Sequence, residues 1–123
     1  MSEHQKLVDG YFTMWNETDE TKRSKVIQKI WSDDAVSVDP MVKVVGHGEI
    51  GTMVENFQGN YPGHRFAQRG DLTEHHDRLQ FYWRMVDPDG VVKLSGQDCV
   101  RLSDDGRIQD LAGFFDATPV EQP

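Results

Sequence analysis

The carboxyl group of Asp98 is the first candidate for chemistry, because of the residues that alternate with it. Asp98, Val100 and Leu102 share one face of a predicted strand, opposite Cys99 and Arg101. If the apolar face lines an interior, burial disfavours the carboxylate and raises its pKa, and the neutral acid can donate a hydrogen bond. The alternative is an Asp98 at solvent or on a strand edge, since alternation does not decide which face is covered.

Asp39 and Tyr11 are two further polar groups with possible roles in the same chemistry. Asp39 ends a short predicted strand before Pro40, which is typical of a turn but also fits a general base at the mouth of a cavity. Tyr11 lies within the apolar stripe of the first predicted helix, so its buried hydroxyl needs a partner. That partner is either structural, or a carboxyl group on the sheet that forms a proton-donating pair with it.

A metal site is not predicted. His75-His76-Asp77 is the strongest candidate, but adjacent side chains in a tight turn diverge, and no second cluster supplies more ligands. The single cysteine, Cys99, excludes an internal disulfide and a cysteine-based metal cluster. We expect His75 to reach the rim of a pocket instead.

Three helices are predicted in the first half of the chain. The first starts near Ser2 and carries an apolar stripe that ends at Trp15; the second has Thr21 as a possible N-cap and ends at 32–34. A short strand is expected at 35–39 and a loop at 41–48. The third helix runs from about Glu49 to the turn at 60–63.

Four long strands are predicted in the second half, near 64–74, 78–87, 91–103 and 107–116, separated by turn sequences. Short links imply consecutive antiparallel hairpins. Three of these strands carry a mid-strand glycine, which predicts a bulge or bend at Gly70, Gly96 and Gly113. The fold class is therefore α+β, a cone-shaped curved antiparallel sheet wrapped around three N-terminal helices. We expect one domain at 1–117 and a flexible tail at 118–123.

Composition excludes several classes of partner. The 123 residues include 13 basic and 21 acidic ones, a net charge of −8, which argues against general binding to nucleic acid or anionic membranes. The longest apolar run, 111–115, is far shorter than the ~20 residues of a membrane span. Since the N-terminus carries no signal segment, a cytoplasmic protein is expected.

An apolar ligand pocket is expected inside the cone. The side chains predicted to line it are Trp15, Trp31, Val54, Phe57, Phe66, His75, Trp83 and Phe114.

Three strings of the sequence carry a resemblance to a known superfamily. They are Trp31-Ser32-Asp33-Asp34-Ala35-Val36-Ser37-Val38-Asp39-Pro40, Gly46-His47-Gly48-Glu49-Ile50, and the hairpin segment 96–108 with sequence GQDCVRLSDDGRI. Together with the order of elements, they resemble the nuclear transport factor 2-like superfamily over about residues 5–116. Within it the chain is most similar to the polyketide-cyclase-like (SnoaL-like) and ketosteroid-isomerase-like branch, which implies a cystatin-like roll.

The resemblance also implies roles for the three polar groups. Asp39 falls on the general base of the isomerases, Tyr11 on the tyrosine of the oxyanion hole, and Asp98 on the neutral acid that completes it. It implies a homodimer and an enzyme without a metal or organic cofactor, which isomerises or cyclises a small apolar carbonyl compound. The alternative is a non-catalytic binding module for a small apolar ligand or a partner protein.

Overall fold

Three helices are present in the computed structural model, which describes residues 2–121, and side chains cap the first two of them. Helix α1 spans Glu3–Asn16, α2 spans Glu20–Ile30 and α3 spans Gly46–Asn60. Ser2 caps α1 by accepting a hydrogen bond from the backbone N–H of Gln5. Asp19 caps α2, so the predicted cap at Thr21 is wrong, since a carboxylate two residues earlier already takes that role.

Six strands form one curved sheet beside the helices. They are β1 Trp31–Val38, β2 Lys43–Val45, β3 Arg65–His75, β4 Arg78–Val86, β5 Val92–Leu102 and β6 Ile108–Phe115, in the order β2-β1-β6-β5-β4-β3. The predicted fold, three helices against a curved sheet, is confirmed. The sheet is mixed rather than wholly antiparallel, because β1 and β6 run parallel.

Two local predictions between α2 and α3 are wrong. Strand β1 starts directly at Trp31 rather than at residue 35, since α2 ends at Ile30. The predicted loop at 41–48 contains β2 and the first residues of α3. Strand β2 is held by antiparallel pairing with β1 and by the burial of Val44. The sequence does not reveal it, because three residues are too few to show an alternating pattern.

The mid-strand glycines have two different causes. Gly70 has a φ of +71° and lies where the pairing of β3 with β4 shifts register, so the predicted bulge is confirmed there. At Gly96 and Gly113 the residues pair regularly across the sheet. Glycine is required at those two positions by close contacts, described below, rather than by a bulge.

The inner face of the sheet packs against α1. Alternate residues of β4 are buried on this face, as predicted: Leu79, Phe81, Trp83 and Met85. The stripe of α1 that faces them is buried as well, and Tyr11 and Phe12 contact the Phe81 ring edge-on. The inner face of the sheet, which carries Asp98, therefore faces the helix that carries Tyr11.

The predicted tail lies partly outside the described residues, at 122 and 123. Within the described part, the backbone N–H of Val120 donates to Ser95 Oγ, and the Glu121 carbonyl accepts from Arg84. No helix among residues 2–121 is long and apolar enough to cross a membrane.

Candidate active site

One cavity of about 480 Å³ lies between the inner face of the sheet and helices α1 and α3. This volume lies within the range of small-molecule sites, which are commonly 300–1,000 Å³. Tyr11, Asp39 and Asp98 all line it. Aromatic rings form much of the remaining wall: Phe12, Trp15, Phe57, Tyr61, Phe66, Trp83 and Phe115.

Sheet pairing explains why two carboxyl groups reach the same cavity. Asp98 on β5 pairs with Gly113 on β6, and Val38 at the end of β1 pairs with Ala112. The parallel register therefore places Asp39 beside Gly113, on the opposite side from Asp98. A Cβ atom added to Gly113 would lie 2.9 Å from Asp98 Oδ1 and 3.3 Å from Asp39 Cβ. Because Gly113 has no side chain, Asp39 and Asp98 can both lie close to it.

Asp98 is held in an environment that favours its neutral form. Its side chain is 4% exposed. Burial, which disfavours the carboxylate, is the main reason that its pKa is raised from 3.8 to about 7, and the negative charge of Asp39 adds to it. The Tyr11 hydroxyl and the Trp83 indole N–H, which lie close to the carboxyl group, partly offset the rise of this pKa. The site can therefore hold a carboxylic acid that donates a proton or a hydrogen bond near neutral pH.

The Tyr11 hydroxyl is buried beside that acid. Burial raises the pKa of Tyr11 well above its ordinary value of 10, and the nearby charge of Asp98 raises it further. Trp15, one turn along α1, acts in the opposite direction by hydrogen bonding. Tyr11 therefore stays protonated, so its O–H remains a hydrogen-bond donor.

Asp39 combines the two roles weighed from the sequence. Its Oδ1 accepts hydrogen bonds from the backbone N–H groups of Met41 (2.7 Å) and Val42 (3.0 Å), which is the geometry of a turn former. The same half-buried side chain lines the cavity, and Oδ2 accepts no hydrogen bond from residues 2–121. One oxygen holds the turn, which leaves the other for a ligand.

Four of the residues predicted to line the pocket do so: Trp15, Phe57, Phe66 and Trp83. Their rings form a continuous cluster. The centroids of Trp15 and Phe66 are 4.9 Å apart, those of Phe57 and Phe66 are 4.8 Å apart, and those of Phe66 and Trp83 are 5.4 Å apart.

The other four predicted pocket residues lie elsewhere, which corrects their assignment. Trp31 and Val54 are fully buried in the core, where the Trp31 indole N–H donates to Met14 Sδ. His75 pairs with Arg78 and faces the outer side of the sheet. Phe114 is 54% exposed, since it pairs with Gln97 on the outer face.

The structure adds cavity residues that the sequence analysis did not select. Phe115 lines the cavity in place of Phe114, because the inner face of β6 includes Gly113 and alternates from it. Met53 and Met85 lie on the same apolar faces as Phe57 and Trp83, a signal that was present in the sequence. Met41 and Val42 belong to the turn after Asp39, where no periodicity marks them.

The charged groups of the cavity are both acidic. Asp39 and Asp98 line it, and no Lys, Arg or His side chain among the described residues does. Nowhere in residues 2–121 are three or more His, Cys, Asp or Glu side chains grouped to hold a metal ion. The chemistry that these residues can perform themselves is proton transfer on an uncharged ligand, assisted by hydrogen bonds.

The comparison with protein families identifies the domain. The SnoaL-like domain family matches residues 8–111. The chain belongs to the SnoaL-like family. This domain is part of the nuclear transport factor 2-like superfamily, as the sequence resemblance implied.

Solved structures support the same assignment. A protein from Agrobacterium tumefaciens, described as a candidate isomerase of the SnoaL-like family, superposes with a TM-score of 0.90 at 32% identity, over 95% of this chain and 100% of that chain. A nuclear transport factor 2-like protein of unknown function from Exiguobacterium superposes with a TM-score of 0.73 at 25% identity, over 91% and 99%.

A more distant similarity shows the fold alone. A protein from Jannaschia, described as a candidate SnoaL-like polyketide cyclase, superposes with a TM-score of 0.67 at 14% identity, over 91% of this chain and 86% of that chain. No curated protein matches the sequence.

Proposed function

We propose that this SnoaL-like domain is a cofactor-independent proton-transfer enzyme, which isomerises or cyclises an uncharged, largely apolar carbonyl compound in its cavity. The observation that supports this most is the shared cavity of Tyr11, Asp39 and Asp98, in which Asp98 is buried and its pKa is about 7. The SnoaL-like relative from Agrobacterium, described as a candidate isomerase, supports the same class of reaction.

In the proposed reaction Asp39 is the general base. Its carboxylate takes a proton from the carbon next to the substrate carbonyl, and the electrons of that C–H bond move toward the carbonyl oxygen to form an enolate. In an isomerisation, the protonated Asp39 returns the proton to a carbon further along the conjugated system. In a cyclisation, the enolate carbon attacks a second carbonyl of the same molecule, and the proton goes to the new alkoxide.

Tyr11 and Asp98 stabilise the charge that this step creates. Both present an O–H to the enolate oxygen, and both are buried, so their hydrogen bonds act in a medium of low dielectric constant. A neutral Asp98 is essential, because a carboxylate there would repel the enolate instead of binding it. The raised pKa of Asp98 is therefore the property on which the mechanism depends.

A homodimer that pairs through the outer face of the sheet is part of the proposal. Large apolar side chains are exposed on that face, including Phe114 (54%), Val45 (47%) and Tyr82 (36%). Sedimentation velocity at micromolar concentration should show a species of about twice the chain mass. A monomer alone would overturn this part.

The test is turnover of a panel of β,γ-unsaturated ketones, followed by the absorbance of the conjugated product. We expect activity in the wild type and loss of activity in Asp39→Asn, with Asp104→Asn in an exposed turn as the matched control. No turnover of any ketone by the wild type would discard the isomerase version. Unchanged ligand affinity in Asp39→Asn, with no rate to measure, would identify a binding module instead.

A further inference from the structure

The indole N–H of Trp83 is a buried donor that lies close to Asp98 but does not reach hydrogen-bond geometry with it or with any other group of residues 2–121. The residue is 4% exposed and lines the cavity, yet its Nε1 meets no acceptor with hydrogen-bond geometry among residues 2–121. Trp31, which is equally enclosed, donates its indole N–H to Met14 Sδ at 3.2 Å. Buried N–H groups are nearly always paired, so an unpaired donor in a cavity wall is expected to be satisfied by a ligand.

The position of the Trp83 ring follows from a glycine. Trp83 pairs with Gly96 across β4 and β5, and a Cβ atom at Gly96 would lie 2.7 Å from Trp83 Cζ2. Cζ2 is bonded to the carbon that carries Nε1, so this edge of the indole lies above Gly96. Asp98 is the next residue of β5 on the same face, and the Trp83 N–H lies near enough to lower the pKa of this carboxyl group without reaching hydrogen-bond geometry with it.

Aromatic neighbours fix the direction of this N–H. The Trp83 ring contacts Phe66 and Phe115 edge-on, with centroid distances of 5.4 Å and 5.7 Å. Rotating the indole would break both contacts. The donor is therefore held beside Asp98 before any ligand binds, which is the condition for a strong contribution to binding or selectivity.

We propose that Trp83 is a third hydrogen-bond donor of this pocket, which together with Tyr11 and Asp98 binds the oxygen atom of an uncharged carbonyl ligand. The inference rests on the proposed function, since it uses the same oxygen site. It adds a rule of selectivity: a ligand with a carbonyl oxygen is preferred over its hydrocarbon analogue through Trp83. Anionic ligands are disfavoured, because two acids and no cation line the cavity.

The experiment compares two matched probes, the aromatic ketone 1-tetralone and the hydrocarbon tetralin. Dissociation constants are measured for the wild type, for Trp83→Phe, which removes the N–H but keeps a ring, and for the control Phe57→Leu, which changes a ring of the cavity wall on α3 and keeps both rings that hold Trp83. We expect Trp83→Phe to reduce the preference for the ketone roughly tenfold. Phe57→Leu should weaken both probes alike and leave the preference unchanged.

A second measurement uses only the wild type, so it does not depend on whether a variant folds. In the wild type, the indole ¹H–¹⁵N resonance of Trp83 should move downfield on addition of 1-tetralone and not of tetralin, while that of Trp31 stays in place. An unmoved Trp83 resonance, an unchanged preference in Trp83→Phe, or a wild type that binds neither probe would overturn the proposal. Selective ketone binding without turnover would support Trp83 as the donor while the proposed enzymatic function failed.

Discussion

Asp39 and Asp98 lie on opposite sides of Gly113, although β1 and β5, the strands that position them, are separated by β6. This arrangement arises because β1 runs parallel to β6, so the residue after β1 lies level with Gly113, and Asp98 pairs with that glycine from the other side. The consequence is electrostatic: the charge of Asp39 adds to burial in raising the pKa of Asp98.

Gly113→Ala should disrupt this arrangement. The new methyl group would lie 2.9 Å from Asp98 Oδ1 and 3.3 Å from Asp39 Cβ, so one or both carboxyl groups must move. We expect a loss of roughly 1–3 kcal/mol in the free energy of unfolding, measured with urea, and a large loss of turnover. Gly59→Ala is the matched control, since a Cβ there meets open space, and it should leave both unchanged or slightly raise stability. A Gly113→Ala variant with normal activity would contradict the close approach.

Substitutions of Asp39 should separate its two roles. Asp39→Asn keeps an oxygen that accepts from the N–H groups of Met41 and Val42, so stability should change by less than about 1 kcal/mol while turnover falls by roughly 10²–10⁴-fold. Asp39→Ala removes the acceptor too and should lower the free energy of unfolding by roughly 1–2 kcal/mol. Thermal and urea unfolding of both variants check this. Equal stability of the two variants would mean that the turn does not depend on Asp39.

The stability of the protein should depend on the pH through Asp98. The pKa of Asp98 is about 7 in the folded state, higher than the ordinary value of 3.8. The contribution of Asp98 to the free energy of unfolding is therefore fully present below about pH 4 and is lost as the pH rises through about 7. Asp98→Asn cannot ionise and should be more stable than the wild type at pH 9, by at most roughly 4 kcal/mol. Near pH 4 the two proteins should be alike. The comparison is made by urea unfolding at both pH values, with Asp104→Asn as control. Parallel curves for wild type and Asp98→Asn would refute a raised pKa.

The pH dependence of kcat/KM should reflect the ionisation of the same carboxyl group, that of Asp98. As the pH rises through about 7, Asp98 loses its proton, ceases to donate a hydrogen bond and repels the enolate, so kcat/KM should fall about tenfold per pH unit above that value. Asp98→Asn should lack this alkaline decline and have a lower plateau. A wild-type profile that stays flat from pH 7 to 9 would argue that Asp98 takes no part as a neutral donor.

Much of the fold could be predicted from local patterns. The stripe of α1 and the alternation of β4 each satisfy a single periodicity over many residues, and both lie as expected. The strand phase of Asp98 correctly indicated a face shared with Val100 and Leu102, and that face is buried. These features depend on neighbours in sequence, which is why the sequence alone reveals them.

Features that depend on distant pairing were not predicted. The parallel contact of β1 with β6 joins residues more than 70 positions apart, and no local pattern marks it. Phe114 and Phe115 are both apolar, so only the register against β5 decides that Phe115 faces the cavity. The position of the Trp83 indole likewise depends on Gly96, a cross-strand partner for which the sequence predicts only a bulge or bend.

The most direct test of this account is the titration of the Asp98 carboxyl group by ¹³C NMR, with its resonance assigned by its absence from Asp98→Asn. A carbon shift that titrates with a pKa near 7 is the expected result, and Tyr11→Phe should raise that pKa further by removing a hydrogen bond to the carboxylate. A pKa near 4 would contradict the neutral acid on which the proposed chemistry depends.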